Sequence, residues 1–450
     1  MCTRASVSLA LLVAVTVSLH AQAPAPAPAP KATLLKAGRL LDVRAGTYRS
    51  NQGIWIEGGR IRQVGGFDEV RGAAPKDIAL IDLGRAAVLP GLIDVHTHLL
   101  DAMDPGASSA DSLILTLTKD SPTKRALLGA AMARNMLDGG FTSVRNVGHS
   151  GIDGDVSLRD AIANGWLPGP RIVAAARKIA PYGGQVLPVQ SALFQQLVDL
   201  EFLTASSPVE GRRAVLEDLR VGADVIKVVA DDGPRVIDQE TMKAIAEEAH
   251  RANLRVAVHA TSKSGIQSAI DAGVDSIEHG DEATDEQFQA MRAKGIVFVP
   301  TIWPRELLPI SRTLARLPNI DALVDRYLAG KRAGLDRARR TGVKIAFGSD
   351  MWFEFEGRTR VQITRAVLES LQTSFGMTAA EALRTATVNA AELLNSPGVT
   401  GVIEAKAFAD LIAVDGDPLT SVTDLEKVIF VMKGGAIIRD DARGHSAPQF

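Results

Sequence analysis

From residue 88 to residue 350 the chain alternates short apolar runs with helical patterns. No other feature constrains its fold as strongly. Apolar runs predict strands at 88–95, 142–147, 171–176, 224–230, 255–260, 276–280, 297–301 and 344–350. Helical periodicity fits between them, for example at 124–137, 239–252, 263–272 and 285–294, with a further helix at 379–394 after the last strand. Strand–helix units in such a series predict an α/β chain whose parallel strands close into a (β/α)8 TIM barrel. The alternative is an open doubly wound sheet, which lacks a supporting Gly-x-Gly-x-x-Gly turn in this sequence.

The two ends read differently. Strands are predicted at 34–41, 53–57 and 60–64, with Gly58-Gly59 turning between the last two. Matching segments lie at 410–414, 428–432 and 436–439, with Gly434-Gly435 between the last two. The expectation is a small discontinuous β-sandwich domain, 33–89 plus 396–440, around a barrel at 90–395, with a tail at 441–450. A chain of 450 residues, 46% hydrophobic and 23% charged, can fill one large barrel core plus an accessory domain. Residues 1–23 read as a secretory signal, with Arg4, an apolar run at 8–19 and the small-residue site Ala21-Gln22-Ala23. Residues 24–32 are an Ala/Pro linker of extended polyproline type. Cleavage removes Cys2, the single cysteine, so neither a disulfide nor thiol catalysis is expected. The protein is expected to be secreted or periplasmic. A net charge of −2 gives no sign of nucleic acid or an anionic membrane as partner, and the oligomeric state stays open.

In a barrel, chemistry sits at the C-terminal ends of the strands. The first strand ends in Pro90-Gly91-Leu92-Ile93-Asp94-Val95-His96-Thr97-His98. Side chains alternate along a strand, so His96 and His98 share a face and form half a shell for a divalent metal. The fourth strand carries Lys227 within it, and further strand ends bring His259, His279 and Asp350. Singly, a strand-end His is usually a hydrogen-bonded residue of core or surface, and an Asp before a helix is usually a cap. Together, these ligand-type side chains converge on one mouth. Lys227 sits in an apolar strand, where burial and nearby cations would lower its pKa. The neutral amine can add CO2, and the resulting carbamate can bridge two metals at the spacing a hydrolytic site needs.

His96-x-His98, Lys227, His259, His279 and Asp350 resemble the ligand set of the amidohydrolase superfamily. The surrounding motifs agree: Val88-Leu89-Pro90-Gly91-Leu92-Ile93-Asp94, Gly140-Phe141-Thr142-Ser143-Val144-Arg145, Ser276-Ile277-Glu278-His279-Gly280 and Ala409-Asp410-Leu411-Ile412-Ala413-Val414. The branch most similar holds imidazolonepropionase-like proteins and prolidase-type dipeptidases, including ochratoxin-hydrolysing relatives. This resemblance implies two divalent ions, Zn2+ first. His96, His98 and Asp350 would hold one and His259 and His279 the other. Carboxylated Lys227 and a hydroxide would bridge them, and Asp350 would move the proton.

Some residues depart from the pattern or stay ambiguous. The loop Ala230-Asp231-Asp232-Gly233-Pro234-Arg235 is short and acidic. Arg235 either grips a substrate carboxylate or is a solvated loop residue. Tyr182, in Tyr182-Gly183-Gly184-Gln185, either lines the pocket or packs. Met351 and Trp352 form an apolar rim for a substrate group or for barrel closure. Asp94 either orients His96 or makes an ordinary strand-end hydrogen bond. His149 either supports the metal ligands from behind or is a plain loop histidine, His250 reads as helix surface, and His20 falls in the signal and His445 in the tail. The expected activity is metal-dependent hydrolysis of a small acyl–amino-acid or dipeptide-like amide. A cyclic-amide hydrolase or deaminase is the alternative, and an inactive barrel acting as a binding protein is the rival of another class.

Overall fold

The computed structural model describes residues 32–441 apart from 187, 188, 311 and 397. The signal reading at 1–23, most of the Ala/Pro linker and almost all of the tail lie outside the described residues. Among the described residues, no helix is long and apolar enough to cross a membrane.

The chain ends meet in one seven-stranded sheet. Its order is Ala436–Asp440, Val428–Lys433, Leu411–Val414, Ala79–Pro90, Thr33–Asp42, Thr47–Glu57 and Arg60–Gly66. Only Thr33–Asp42 and Ala79–Pro90 pair in parallel; the remaining neighbours are antiparallel. The strands from both ends, expected as a sandwich, are hydrogen-bonded in one continuous sheet, whose Arg60–Gly66 end returns to the other chain end where Ile61 N donates to Ala407 O at 2.9 Å. Alternation along the strands explains how its faces are covered. Leu34 turns to Val70, Ala74 and Ile78 around the helix Phe67–Ala73, while Leu35, Ile54 and Phe430 join the main core.

Between the ends lies an α/β body with two parallel sheets. One holds Leu92–Thr97, Phe141–Asn146 and Arg171–Ala174. The other runs Val297–Val299, Ser276–His279, Arg255–Ala260, Val225–Val229, Lys178–Ala180 and Phe202–Thr204. One backbone bond joins the two sheets directly at one junction, and the segment 344–347 bridges them at the other. Asp224 N donates to Ala174 O at 2.7 Å, and Val95 N donates to Phe347 O at 3.0 Å. Phe298 N donates to Lys344 O at 2.8 Å, and Phe298 O accepts from Ala346 N at 3.0 Å.

Two expected strands come out differently. The run expected as one strand at 88–95 is two. Pro90 ends the strand that pairs with Leu411–Val414, and after Gly91 the chain pairs with Phe141–Asn146. Gly91 N donates to Asp410 O at 3.0 Å and packs against Thr142 with no room for a side chain, so the crossover occurs there. Residues 344–350 are irregular, with one bridge at Ile345. A Cβ on Gly348 would meet His96 Cβ at 2.6 Å, and Asp350 takes a left-handed φ of 51°. The segment thus bends instead of extending.

Helix ends follow local chemistry. Lys263–Ala272 starts where the Ser262 side chain accepts from Gly265 N and stops at Gly273, φ 74°. Asp285–Lys294 opens on a capping box of Thr284 and Gln287. The helix expected at 379–394 is broken into Ala379–Thr385 and Val388–Leu393. The break lets the Ala386 carbonyl accept from Ile93 N at 2.8 Å, which ties it to the first inner strand.

Candidate metal centre

The strand Leu92–Thr97 sorts its side chains by face. Ile93 and Val95 pack with Val297, Val299 and Ala346. The opposite face carries Asp94 and His96, and His98 follows on the same side just past the strand. Asp94 Oδ1 accepts from His96 N and from Ser349 N, each at 3.0 Å. It therefore positions backbone, not the His96 ring, and staples the end of the first inner strand to the segment that carries Asp350. Burial pushes its carboxyl up to about 6.

All six predicted ligands line one cavity of about 240 Å3: His96, His98, Lys227, His259, His279 and Asp350. Asp350 Oδ1 lies 3.2 Å from His96 Nε2 and 3.1 Å from His98 Nε2. The His259 and His279 rings stand 4.4 Å apart, and His96 and His279 5.3 Å apart. Donor atoms of His96, His279 and Asp350 all fall within 4.8 Å of one another, close enough to share a cation. Lys227 projects from Val225–Val229, and its Nζ is buried without a hydrogen-bond partner.

Tautomers decide whether this donor set fits a cation. His96 Nδ1 is 2.7 Å from Glu278 Oε2, and His98 Nδ1 is 2.9 Å from Gly148 O. The ionised Glu278 carboxylate and the Gly148 carbonyl can only accept, so both rings carry their hydrogen on Nδ1. Both Nε2 lone pairs then point at Asp350 Oδ1, another acceptor. Three lone-pair atoms converge with no hydrogen between them, which suits a divalent cation of the zinc type.

Electrostatics agrees. Burial drives His98 down to about 4 and His259 down to about 3, and drives His279 well below its usual value. The imidazoles are thus neutral, as ligands must be. Burial alone would raise Asp350, but positive charge between its carboxylate and the His96 and His98 rings, a shared proton or the cation that replaces it, holds it well below the usual carboxylate range. Burial lowers Lys227 to about 8.

The rim residues divide. Trp352 and Arg235 line the cavity. Arg235 is engaged, however, in an ion pair with Asp232. Tyr182 is 62% exposed, outside the cavity lining, with its ring against Phe194. Met351 is also outside the lining: it is buried in the core, and its carbonyl accepts from Arg360. Of the four expected substrate residues, Trp352 and Arg235 line the cavity, and Tyr182 and Met351 do not. His250 bonds Asp275 at 2.9 Å on the exposed helix Gln239–Arg251, in accord with the sequence reading.

Three contributors, Glu278, Lys178 and Gln185, escaped the sequence reading. Glu278 is fully buried between His96 and Arg145, with Arg145 Nη2 2.7 Å from its Oε1. Its neighbour His279 was the visible ligand, and alternation turned Glu278 to the other side of the strand, where it reaches His96. His149, for which the sequence left a supporting role open, is buried, lines the cavity and stacks on Trp352 at 4.9 Å. Lys178 and Gln185 line the same wall. The polar Lys178 inside Arg177-Lys178-Ile179-Ala180 was the available signal.

Comparison with known proteins places these features. The model of the Amidohydrolase family matches residues 87–438. The chain is similar to ochratoxinase of Aspergillus niger, 29% identical over 390 residues that cover 79% of this chain and 76% of that one. It is 23% identical to imidazolonepropionase of Kosmotoga olearia over 415 residues, 87% of this chain and 91% of that one. A solved Xaa-Pro dipeptidase with methionine bound in its active site superposes with a TM-score of 0.76 at 31% identity, covering 91% of this chain and 100% of that one. The protein belongs to the amidohydrolase family, and is a hydrolase of carbon–nitrogen bonds.

Proposed function

We propose that this chain is an exported, binuclear metal-dependent hydrolase that splits the amide of a small acyl–amino acid or dipeptide-like substrate. The observation that carries the reading is the convergence of His96 Nε2, His98 Nε2 and Asp350 Oδ1, beside the unpartnered amine of Lys227. Ochratoxinase and the Xaa-Pro dipeptidase, both similar to this chain, support the amide class. The reading takes 90–395 as a (β/α)8 barrel, with 33–89 and 396–440 as its accessory domain. The backbone bonds joining the two parallel sheets support that ring. The apolar run at 8–19 and Ala21-Gln22-Ala23 support export and a secreted or periplasmic location.

His96, His98 and Asp350 would hold one zinc, and His259 and His279 the second, with Lys227 between them. When bound, the ions supply an acidified water and positive charge for the carbonyl oxygen. Lys227 in its neutral form adds CO2, forming an N–C bond and releasing a proton, which gives an anion able to face both ions. Asp350 takes a proton from the attacking water and delivers it to the leaving nitrogen. Its depressed basicity makes that protonation transient. Glu278 holds the His96 ring in register, and Trp352 shields the cavity rim.

The test is a side-by-side assay of purified enzyme on N-acyl amino acids, dipeptides and cyclic ureides. Hydrolysis of the first two is expected. Activity confined to cyclic ureides overturns the peptidase-like reading in favour of an imidazolonepropionase-type one, and zinc-loaded protein inert on all three overturns the enzyme.

A further inference from the structure

The cavity wall beside His98 carries a buried cation that the metal reading does not use. Lys178 is 2% exposed. Its Nζ lies 3.0 Å from His149 Nε2 and 2.9 Å from Gln185 Oε1. An ammonium can only donate, so His149 Nε2 accepts and its Nδ1 carries the hydrogen, 3.3 Å from Asp101 Oδ2. These two partners are neutral, and among the described residues no carboxylate lies within ion-pair distance of Nζ. A buried ammonium has three donors and is costly to leave without an anion. Here two donors are used and the third is left for the cavity that Lys178 lines.

The position is built, not incidental. Gly148 has φ 109°, and a Cβ there would come within 2.5 Å of Lys178 Cγ, so the glycine makes room for the stem. Nζ also sits 4.7 Å from the centroid of the Phe202 ring. The same Gly148 carbonyl orients His98, so the cation and the metal shell share a support.

We propose that Lys178 anchors the free carboxylate of the leaving amino acid, so that the enzyme selects substrates whose scissile amide neighbours a terminal carboxylate. This rests on the amide-hydrolase reading above. The sequence made Arg235 the candidate for that grip, but its guanidinium is paired with Asp232; of the two lining lysines, Lys227 stands among the metal ligands, and Lys178 on the wall beside them is held by neutral partners. The geometry suits an α-carboxylate. One carbon separates it from the scissile nitrogen, and Lys178 stands one imidazole away from His98, whose ring is 4.6 Å from that of His149. A carboxylate there would take a charge-assisted bond from Nζ, while Gln185 and His149 keep the ammonium in place.

The experiment compares N-acyl amino acids with their C-terminal N-methylamides, reading acyl release on zinc-loaded full-length enzyme. Wild type is expected to prefer the free acids by roughly 10- to 100-fold in kcat/KM. Lys178→Met is expected to collapse that ratio toward one, mainly by raising KM for the free acid, with zinc content retained. Lys178→Arg, which keeps the charge, is expected to retain part of the preference. Equal wild-type turnover of acids and capped amides overturns the anchor while leaving the amide-hydrolase reading intact. No turnover of either overturns the reading itself. A ratio that survives Lys178→Met and collapses in Arg235→Met assigns the anchor to Arg235 and overturns the proposal. Should Lys178→Met fail to fold, the wild-type ratio and the partial retention by Lys178→Arg decide the matter.

Discussion

Asp350 Oδ1 lies 3.1 Å from His98 Nε2, and the Gly148 carbonyl on the far side of the ring makes that nitrogen an acceptor. Two acceptors at this distance repel unless a cation or proton lies between them. Burial keeps the His98 ring neutral, so the arrangement is one prepared for a metal.

Asp350 therefore has two tasks, and an amide in its place separates them. Asp350→Asn keeps one oxygen for coordination and loses the proton acceptor. We expect kcat to fall by about 10²- to 10⁴-fold, with zinc content by elemental analysis falling much less. Near-normal turnover would remove its proton role.

Glu278 acts through His96. It accepts from Nδ1 at 2.7 Å and neutralises Arg145 in a site with no solvent contact. Burial alone would raise its pKa, but Arg145 and the His96 hydrogen bond hold it below the usual range. Glu278→Gln leaves a buried guanidinium uncompensated. The expected cost is about 3–5 kcal/mol in urea unfolding and about 10- to 100-fold in zinc affinity. Zinc binding unchanged from wild type would contradict the role in orienting His96.

Lys227 predicts the opposite pattern. Its amine is buried without a partner, which penalises the metal-free fold. Lys227→Met keeps the stem and removes that penalty. Calorimetry of the stripped proteins should show an equal or higher melting temperature for the variant, while zinc stoichiometry and activity drop. A variant that remains fully active in bicarbonate-free buffer would exclude the carbamate.

Away from the site, Glu369 gives a pH prediction. Burial and the neighbouring Glu426 raise its carboxyl from 4.5 to about 7, and its Oε1 has no hydrogen-bond partner. The folded state thus holds a proton that the unfolded chain releases above about 4.5. Stability from this group is greatest below that value and is lost as pH rises through about 7. Glu369→Gln is expected to raise the urea midpoint at pH 8 and to change it little at pH 4. The reverse order would refute the shift.

What the sequence made legible followed from periodicity. The apolar runs placed Arg255–Ala260 correctly at both ends, and the ligand residues at the strand ends do converge. What it hid depended on tertiary contacts. The Pro90–Gly91 crossover depends on Asp410, more than 300 residues away, and nothing local in the run marks it. The single terminal sheet depends on which edges the two chain ends find. Met351 was expected at the rim because it follows Asp350. The left-handed turn at Asp350 and the hold of Arg360 on the Met351 carbonyl leave its side chain in the core, and Trp352 reaches the cavity instead. Glu278 was hidden, and Lys178 showed only as a polar residue in an apolar run, because their roles lie in partners contributed by other strands and loops.

In the proposed mechanism two metal ions, held by these strand ends, carry the hydrolysis. The most direct measurement is a zinc titration of chelator-stripped protein in bicarbonate buffer, following hydrolysis of an N-acyl amino acid. Activity is expected to be negligible in the stripped protein, to rise with added zinc and to level at two equivalents per chain. Full activity in stripped protein, or a plateau after a single equivalent, would contradict that mechanism.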